Sequence, residues 1–270
     1  MESISTQLTV TAERVAAEAA ERVLTAREKV LAGGSVLVDT KSSETDVVTA
    51  VDRESERFVR ARLAELRPGE PVLGEEDGGE LADGGVTWVV DPIDGTVNFL
   101  YGYPWFAVSL AAQVDGVSVA GAVVEPVSGR RWTATRGGGA YLDGRPLRAG
   151  TPERLELALV GTGFAYDRER RTRQAGLVAS LLGRVRDIRR GGAASLELCA
   201  VAAGWTDAFF EHGLNRWDWA AGALLATEAG AVVHLPGSAP DLGEDLTFAA
   251  AAPIADALRA ALAEGGSARI

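Results

Sequence analysis

The sequence is poor in the side chains that most often hold transition metals or carry redox chemistry. Its 270 residues include one cysteine, Cys199, and two histidines, His212 and His234. One cysteine excludes an internal disulfide and a cysteine-rich metal site, and two histidines exclude a histidine-rich zinc centre. Cys199 stands in an apolar segment, so we expect it to be buried and unreactive. Any metal site must use oxygen ligands, which suit a hard cation such as Mg²⁺.

Basic charge and long apolar runs are also scarce. The chain has 27 Lys and Arg against 38 Asp and Glu, a net charge of −11, which argues against a nucleic-acid surface. No apolar run approaches the roughly 18 residues of a membrane span. The acidic start of the chain lacks the basic-then-apolar pattern of a secretory signal. We therefore expect a soluble, cytoplasmic protein that binds neither nucleic acid nor membrane.

Apolar residues and glycine are abundant, at 47% hydrophobic residues and 32 glycines, so the chain can bury a large core. Its first part predicts helices over about 8–31 and 52–66, packed on one face of an antiparallel meander of strands. Asp115-Gly116 between two apolar runs predicts one of the hairpins. From residue 149 onwards helices and strands alternate. We predict an N-terminal lobe of residues 1–148 and a C-terminal α/β lobe of residues 149–270, in one compact unit.

Residues 88–99, Trp-Val-Val-Asp-Pro-Ile-Asp-Gly-Thr-Val-Asn-Phe, organise the chain. The apolar start predicts a buried strand that ends at Asp91, with Asp94 three residues on. Gly95-Thr96 then turns into a helix. Acids at a strand end could bind a cation, and the free N–H groups of a helix start could receive a phosphate. Read alone, Asp91 and Asp94 are better explained as turn and cap residues.

Further acids permit two interpretations each. Glu75 follows a short strand, and alone it would belong to a solvated loop. Asp218 begins a helix between Trp217 and Trp219. It is either an acid favoured by the helix dipole or a metal ligand, since a lone buried carboxylate is costly. Glu211 is either a surface acid at a strand end or an acceptor for substrate hydroxyls. Asp52 is expected to be the N-cap of the second helix.

Four segments together resemble the inositol monophosphatase family. Residues 88–99 resemble its first signature and residues 217–230 its second. Gly74-Glu75-Glu76 is similar to its Gly-Glu-Glu element, and residues 46–52 are similar to its Asp-x-Val-Thr-x-x-Asp segment. The resemblance covers almost the whole chain. It implies a layered αβαβα sandwich of the α+β or α/β class, a magnesium-dependent phosphomonoesterase and, usually, a homodimer.

The resemblance also implies roles for single residues. Metal ligands would be Glu75, Asp91 and the Ile93 carbonyl for one Mg²⁺, and Asp91, Asp94 and Asp218 for a second, with a third ion near Glu75 common in the family. The catalytic set would be Thr96, Asp52 and Glu75, with Thr96 and Asp52 activating the attacking water. Substrate contacts would come from Gly95, Thr96, Gly192, Ala193, Ala194 and Glu211, and Lys41 would lie near the metals.

The substrate is expected to be a small phosphorylated polyol. The segment 211–214 looks most like the inositol monophosphatase branch, which favours inositol monophosphate. Histidinol-phosphate phosphatase and fructose-1,6-bisphosphatase of the same family are alternatives, since the metal motifs do not separate them. A non-enzymatic alternative is a transcription-associated scaffold protein. Tyr101, Tyr103 and Arg216 are expected to shape the mouth of the site.

Overall fold

The computed structural model describes residues 4–33, 38–40 and 47–270. The resemblance placed Lys41 near the metals and Asp46 in the Asp-x-Val-Thr-x-x-Asp segment. Both residues lie outside the described ranges. The described residues form the helices α1 (Ile4–Leu31), α2 (Ala50–Leu66), α3 (Thr96–Tyr101), α4 (Arg168–Leu182), α5 (Ala194–Ala202), α6 (Arg216–Glu228) and α7 (Ala255–Glu264). None of these helices is long and apolar enough to cross a bilayer.

The strands of the described chain pair into three sheets. A small ribbon pairs β1 (Val38–Thr40) with β2 (Val47–Thr49). A large sheet contains, in spatial order, β3 (Val72–Gly74), β4 (Val86–Asp94), β5 (Ala107–Val114), β6 (Val117–Val124), β7 (Arg131–Thr135), β8 (Gly139–Leu142) and β9 (Arg145–Pro146). A second sheet has the order β11 (Asp187–Arg189), β10 (Leu159–Thr162), β12 (Ala208–His212), β14 (Leu246–Ala251), β13 (Ala231–His234).

The large sheet confirms the predicted meander, because each pair from β4 to β9 is antiparallel and only β3 joins in parallel. The turn between β5 and β6 contains Asp115 and Gly116, as predicted. Both have positive φ, at 51° and 75°. A two-residue turn of this kind matches the twist of the strands that it joins.

The elements stack in five layers. Helices α1 and α2 pack on one face of the large sheet, where Leu8, Val15 and Val59 meet Val90 and Leu110 in a buried cluster. Helices α5 and α6 fill the space between the large and the second sheet. Helices α4 and α7 cover the outer face of the second sheet. This arrangement confirms the predicted αβαβα sandwich.

The sequence-based expectation for the large sheet was incomplete. It placed helices on one face only, whereas both faces are covered, by α1 and α2 on one side and by α5 and α6 on the other. Strand β5 carries the reason in its composition, since seven consecutive residues from Ala107 to Gln113 are buried. A strand that is apolar at nearly every position is typical of a sheet covered on both faces.

The start of α2 also differs from the prediction. Thr49 is the N-cap, and Asp52 is three residues further on, inside the first turn. The Thr49 hydroxyl accepts a hydrogen bond from the Val51 N–H at 3.1 Å, and the Asp52 carboxylate accepts one from the Thr49 N–H at 2.9 Å. The prediction that Asp52 is the N-cap was therefore wrong, because Thr49 and Asp52 together form a capping box.

The close crossing of α5 and α6 depends on the absence of a side chain at Gly222. A Cβ added at Gly222 would lie 2.8 Å from the Leu198 Cβ and 3.1 Å from the Ser195 carbonyl oxygen. These contacts are closer than packed carbon atoms approach, so the two helices could not keep their present separation. Gly222 thereby allows the middle layer to be thin enough for both helices to reach the same cavity.

We expect Gly222→Ala to lower the free energy of unfolding by about 1–3 kcal/mol, the usual cost of overpacking a core. Gly176→Ala is the matched control, because Gly176 lies in the exposed part of α4 and an added Cβ would meet nothing within 4 Å. There the same change should stabilise the helix by about 0.5–1 kcal/mol. Urea unfolding monitored by circular dichroism measures the free energy of unfolding of both variants. A Gly222→Ala protein as stable as the parent would show that the crossing of α5 and α6 does not require glycine at this position.

Candidate active site

The predicted site residues meet in a cavity of about 370 Å³. It lies where the end of β4, the starts of α3, α5 and α6, and the end of β12 converge. Of the predicted residues, those that line it are Glu75, Asp91, Ile93, Asp94, Gly95, Thr96, Gly192, Ala194, Glu211 and Asp218. Ala193 is buried beside this set without lining the cavity. A larger groove of about 880 Å³ between α1 and α2 contains none of them.

A β-bulge brings Asp91 and Asp94 to the same side of β4. Asp91 pairs with Ser109 and Asp94 with Ala107, so two residues of β4 oppose one residue of β5. Residues three apart in a regular strand point to opposite faces, and one extra residue reverses that. The predicted end of the strand at Asp91 was therefore wrong, because β4 continues to Asp94 through the bulge.

The carboxylates in the cavity oppose one another's ionisation. Burial raises the pKa of Asp91 well above its usual range, and the charges of Glu75, Asp94 and Asp218 raise it further. Burial likewise raises the pKa of Asp218 well above its usual range, followed by the charges of Glu75 and Asp94. Burial raises the pKa of Asp94 to about 6, although hydrogen bonds from Ser195 and Ala194 oppose the shift. The cavity therefore brings together carboxylates whose mutual repulsion a bound cation would relieve.

Backbone N–H groups orient Asp91 and Asp218. Asp91 accepts a hydrogen bond on Oδ1 from the Ile93 N–H at 3.0 Å. Asp218 lies in the first turn of α6, as predicted, and accepts the Asn215 N–H on Oδ2 at 2.6 Å. Both interpretations of Asp218 therefore describe part of its position, because it lies at a helix start and also lines the cavity. A carboxylate near a helix N-terminus gains from the helix dipole.

Thr96 lines the cavity and is hydrogen-bonded to Asp52, which does not line it. Thr96 Oγ1 donates to Asp52 Oδ1 at 2.8 Å and also lies 3.1 Å from the Ile93 carbonyl oxygen. Asp52 is fully buried, and its Oδ2 is bonded to Thr49. Burial raises the pKa of Asp52, against the lowering effect of the hydrogen bonds from Thr49 and Thr96.

Gly95 supplies the turn that places Thr96 beside Asp52. Its φ of 94° is in the left-handed region that favours glycine. A Cβ at this position would also lie 3.2 Å from the Gly192 carbonyl oxygen and from the Phe106 Cβ. A side chain here would therefore push α3 away from the loop before α5.

The opposite wall of the cavity carries Glu211, with Gly192 and Ala194 beside it. Burial raises the pKa of Glu211 to about 8, although the Arg190 guanidinium lowers it and the charges of Asp94 and Glu197 raise it. Gly163 leaves room for this carboxylate, because a Cβ there would overlap it. The wall thus presents one protonatable acid among small residues.

The sequence reasoning missed several residues that shape this site. Asn98 donates through Nδ2 to the Trp105 carbonyl at 2.6 Å and to the Gly191 carbonyl at 2.9 Å, which joins α3 to the loop before α5. Glu197 accepts the Gly191 N–H at 2.6 Å. The Ser195 hydroxyl bonds to Asp94. Asn98 stands within the motif at 88–99, but its partner Gly191 is 93 residues away in sequence, so spacing alone does not reveal that bond.

Three residues expected at the mouth of the cavity lie elsewhere. Arg216 donates to the Gln113 side chain at 2.8 Å and to the Gly116 carbonyl at 3.1 Å, so it braces the hairpin of β5 and β6. Tyr101 and Tyr103 are exposed and do not line the cavity. The prediction for these three was wrong, because Arg216 is bonded to the β5–β6 hairpin and both tyrosines are exposed to solvent.

The chemistry of the donor set fits a hard divalent cation. The cavity offers carboxylate oxygens and the Ile93 carbonyl, which are the ligands that Mg²⁺ and Ca²⁺ prefer. Among the described residues, no group of three or more His, Cys, Asp or Glu side chains is arranged to hold an ion by itself. Magnesium does not require such a cage, because it retains several waters and is usually bound through one or two carboxylates together with substrate phosphate.

Comparison with known proteins gives the class of the protein. The sequence model of the inositol monophosphatase family matches residues 4–267. An inositol-1-monophosphatase of Mycobacterium leprae is 54% identical over 271 residues, covering 95% of this chain and 93% of that protein. The solved structure of Mycobacterium tuberculosis SuhB has a TM-score of 0.85 and 45% identity, and the alignment covers 99% of this chain and all of that one. The Nus factor SuhB of Pseudomonas aeruginosa is 43% identical, covering 82% of each chain.

The fold, the acid-lined cavity and these relatives define an enzyme of the phosphoric monoester hydrolase class. More specifically, the chain belongs to the inositol monophosphatase family. The resemblance read from the four motifs is thereby confirmed.

The raised pKa of Glu211 predicts how stability depends on pH. Between the ordinary glutamate value of 4.5 and about 8, the folded protein holds a proton that the unfolded chain releases. Stability that is present at low pH is therefore lost as the pH rises through this window. In a chelating buffer, we expect the free energy of unfolding to fall over that range, and to fall less steeply in Glu211→Gln.

Glu153→Gln, a change at an exposed loop position, is the control and should retain the parent pH dependence. Urea titrations at several pH values measure the slopes. Equal slopes for the Glu211→Gln and parent proteins would show that Glu211 does not hold the proton assigned to it.

Proposed function

We propose that this protein hydrolyses inositol monophosphate to inositol and phosphate in a magnesium-dependent reaction. The observation that carries the proposal is the meeting, in one cavity, of three buried or partly buried aspartates with Thr96, whose hydroxyl is bonded to the buried Asp52. The cavity volume suits a small phosphorylated polyol. The relative from Mycobacterium leprae, which carries the name inositol-1-monophosphatase, supports this choice of substrate.

The resemblance to the family implies two positions for magnesium in this cavity. Glu75, Asp91 and the Ile93 carbonyl would hold one ion, and Asp91, Asp94 and Asp218 would hold another. Bound magnesium supplies positive charge that stabilises phosphate oxygens and lowers the pKa of a bound water. The raised pKa values of Asp91 and Asp218 support these roles, because carboxylates that resist ionisation alone gain most from a nearby cation.

Thr96 and Asp52 are proposed to accept the proton of the attacking water. The Thr96 hydroxyl donates its hydrogen to Asp52 Oδ1 at 2.8 Å, which leaves a lone pair on Oγ1 for a water in the cavity. As the water attacks phosphorus, its proton passes to Thr96 Oγ1, and the threonine proton passes to Asp52 Oδ1. The raised pKa of Asp52 suits a proton acceptor. The bond from phosphorus to the polyol oxygen breaks in the same displacement, the leaving oxygen takes a proton from solvent water, and Asp52 later returns its proton to solvent.

The remaining contacts are proposed to orient the substrate. The amides of Gly95 and Thr96 open α3, whose first internal bond runs from the Phe99 N–H to the Gly95 carbonyl at 3.0 Å. These two amides precede that bond and would donate to phosphate oxygens. Glu211, with Gly192 and Ala194 beside it, would contact the hydroxyls of the polyol ring. A carboxylate with a pKa of about 8 can donate as well as accept a hydrogen bond at neutral pH.

The substrate is tested by phosphate release from inositol 1-phosphate, histidinol phosphate, fructose 1,6-bisphosphate and a 3′-phosphoadenosine nucleotide. Each is assayed with magnesium and with a chelator. We expect magnesium-dependent turnover with a clear preference for inositol 1-phosphate. A preference for another compound would move the assignment to that branch of the family, and turnover that persists in chelator would remove magnesium from the mechanism.

Asp218→Asn should reduce kcat by about two orders of magnitude or more, since each tenfold corresponds to about 1.4 kcal/mol of lost charge stabilisation. Asp256→Asn is the matched control, because Asp256 is also an acid in the first turn of a helix but lies exposed on α7. It should retain parent activity. Circular dichroism checks that both variants are folded, and parent-like hydrolysis by Asp218→Asn would exclude Asp218 from the site.

A second candidate, a non-catalytic binding role, is favoured by one finding. The relative from Pseudomonas aeruginosa is named a Nus factor rather than a phosphatase. A variant carrying Asp91→Asn and Asp94→Asn separates the two roles in cells that lack the native gene. Growth or regulation restored by this inactive variant would support the binding role, and failure to restore it would support catalysis. The homodimer remains a prediction from the resemblance, and the cytoplasmic location remains a prediction from the sequence composition.

A further inference from the structure

The start of α5 holds both oxygens of Asp94. Oδ1 accepts the Ala194 N–H at 3.1 Å. Oδ2 accepts the Ser195 N–H at 2.7 Å and the Ser195 hydroxyl at 2.5 Å. Ser195 is fully buried and Asp94 is 7% exposed, so water competes little for these bonds. Asp94 is thus bonded to an element that lies a hundred residues away in sequence.

The two oxygens of Asp94 differ in the lone pairs that remain. An ionised carboxylate has about two acceptor positions on each oxygen. Oδ2 receives two donors from Ser195, which fills its acceptor positions. Oδ1 receives one donor, from Ala194, which leaves one position. A cation in the cavity therefore finds one oxygen of Asp94 available and the other occupied.

The Ser195 side chain does not cap its own helix, α5. The N-cap of α5 is Ala193, which makes no capping hydrogen bond with its side chain. Ser195 lies inside the first turn, and its hydroxyl donates a hydrogen bond to Asp94. An alanine at this position would retain both backbone bonds to Asp94 and lose only the bond from the hydroxyl.

We propose that Ser195 is a positioning residue that limits Asp94 to one metal-binding oxygen, Oδ1, and thereby makes the site select magnesium over calcium. The proposal rests on the proposed function, in which Asp94 is a metal ligand. Magnesium requires six ligands in near-ideal octahedral geometry, whereas calcium takes six to eight oxygens and readily accepts both oxygens of one carboxylate. A carboxylate held to one free oxygen fits the smaller ion.

Isothermal titration of the full-length protein with Mg²⁺ alone and with Ca²⁺ alone tests this selectivity. In Ser195→Ala, we expect Mg²⁺ affinity to fall by about tenfold, the lower end of the usual effect of losing a partner behind a ligand. Ca²⁺ affinity should fall less or rise, because Asp94 could then offer both oxygens. The ratio of the two dissociation constants should shift towards calcium.

Ser180→Ala is the matched control, since the Ser180 hydroxyl bonds to the Leu177 carbonyl on α4, away from the cavity. It should retain both parent affinities. If the parent binds Mg²⁺ and Ser195→Ala has the same ratio of dissociation constants, the role of Ser195 is overturned while the proposed metal site stands. A parent protein that binds no Mg²⁺ would overturn the proposed metal site together with this inference.

A crystal structure of the parent protein with Mn²⁺, located by its anomalous signal, tests the geometry without relying on a variant. We expect the ion to contact Asp94 through Oδ1 only, with Oδ2 still at hydrogen-bond distance from the Ser195 hydroxyl. Coordination through Oδ2, or through both oxygens, would overturn the proposal whatever the stability of Ser195→Ala.

Discussion

Repulsion among carboxylates that share one cavity is the constraint on which the rest of this site depends. Asp91, Asp94 and Asp218 each have a pKa raised first by burial and then by acidic neighbours. Such a cluster persists only where the fold supplies donors to the carboxylates and overall stability from elsewhere. The donors here are mainly backbone N–H groups, from Ile93, Asn215 and the start of α5. The polypeptide therefore sets the position of each acid.

The layered architecture brings those donors together. The bulge in β4 turns Asp91 and Asp94 to one side, and the middle layer carries the complementary groups on α5 and α6. Gly222 lets these two helices cross closely enough to serve one cavity. The site thus lies at the seam between the large sheet and the middle layer. Its geometry depends on the packing of elements that are distant in sequence.

Much of the chemistry could be read from local patterns. The motif at 88–99 located the two aspartates and Thr96, and the turn after β5 was predicted from Asp115-Gly116 alone. The errors came where local rules had two solutions. Asp52 satisfies the composition of an N-cap, but Thr49 three residues earlier caps the helix and leaves Asp52 to bond Thr96. Pro92 favours a turn, but here it lies in a β-bulge and the strand continues past it.

The sequence by itself determined the class of site, because a chain with one cysteine and two histidines must build a metal site mainly from oxygen ligands. Its periodicity and turn residues also determined most of the helices and strands, since these depend on contacts between near neighbours. Only the tertiary structure decided that Asn98 reaches Gly191 and that Ser195 reaches Asp94. Those hydrogen bonds join residues about a hundred positions apart. Such pairs are set by how whole layers pack, and no local spacing encodes them.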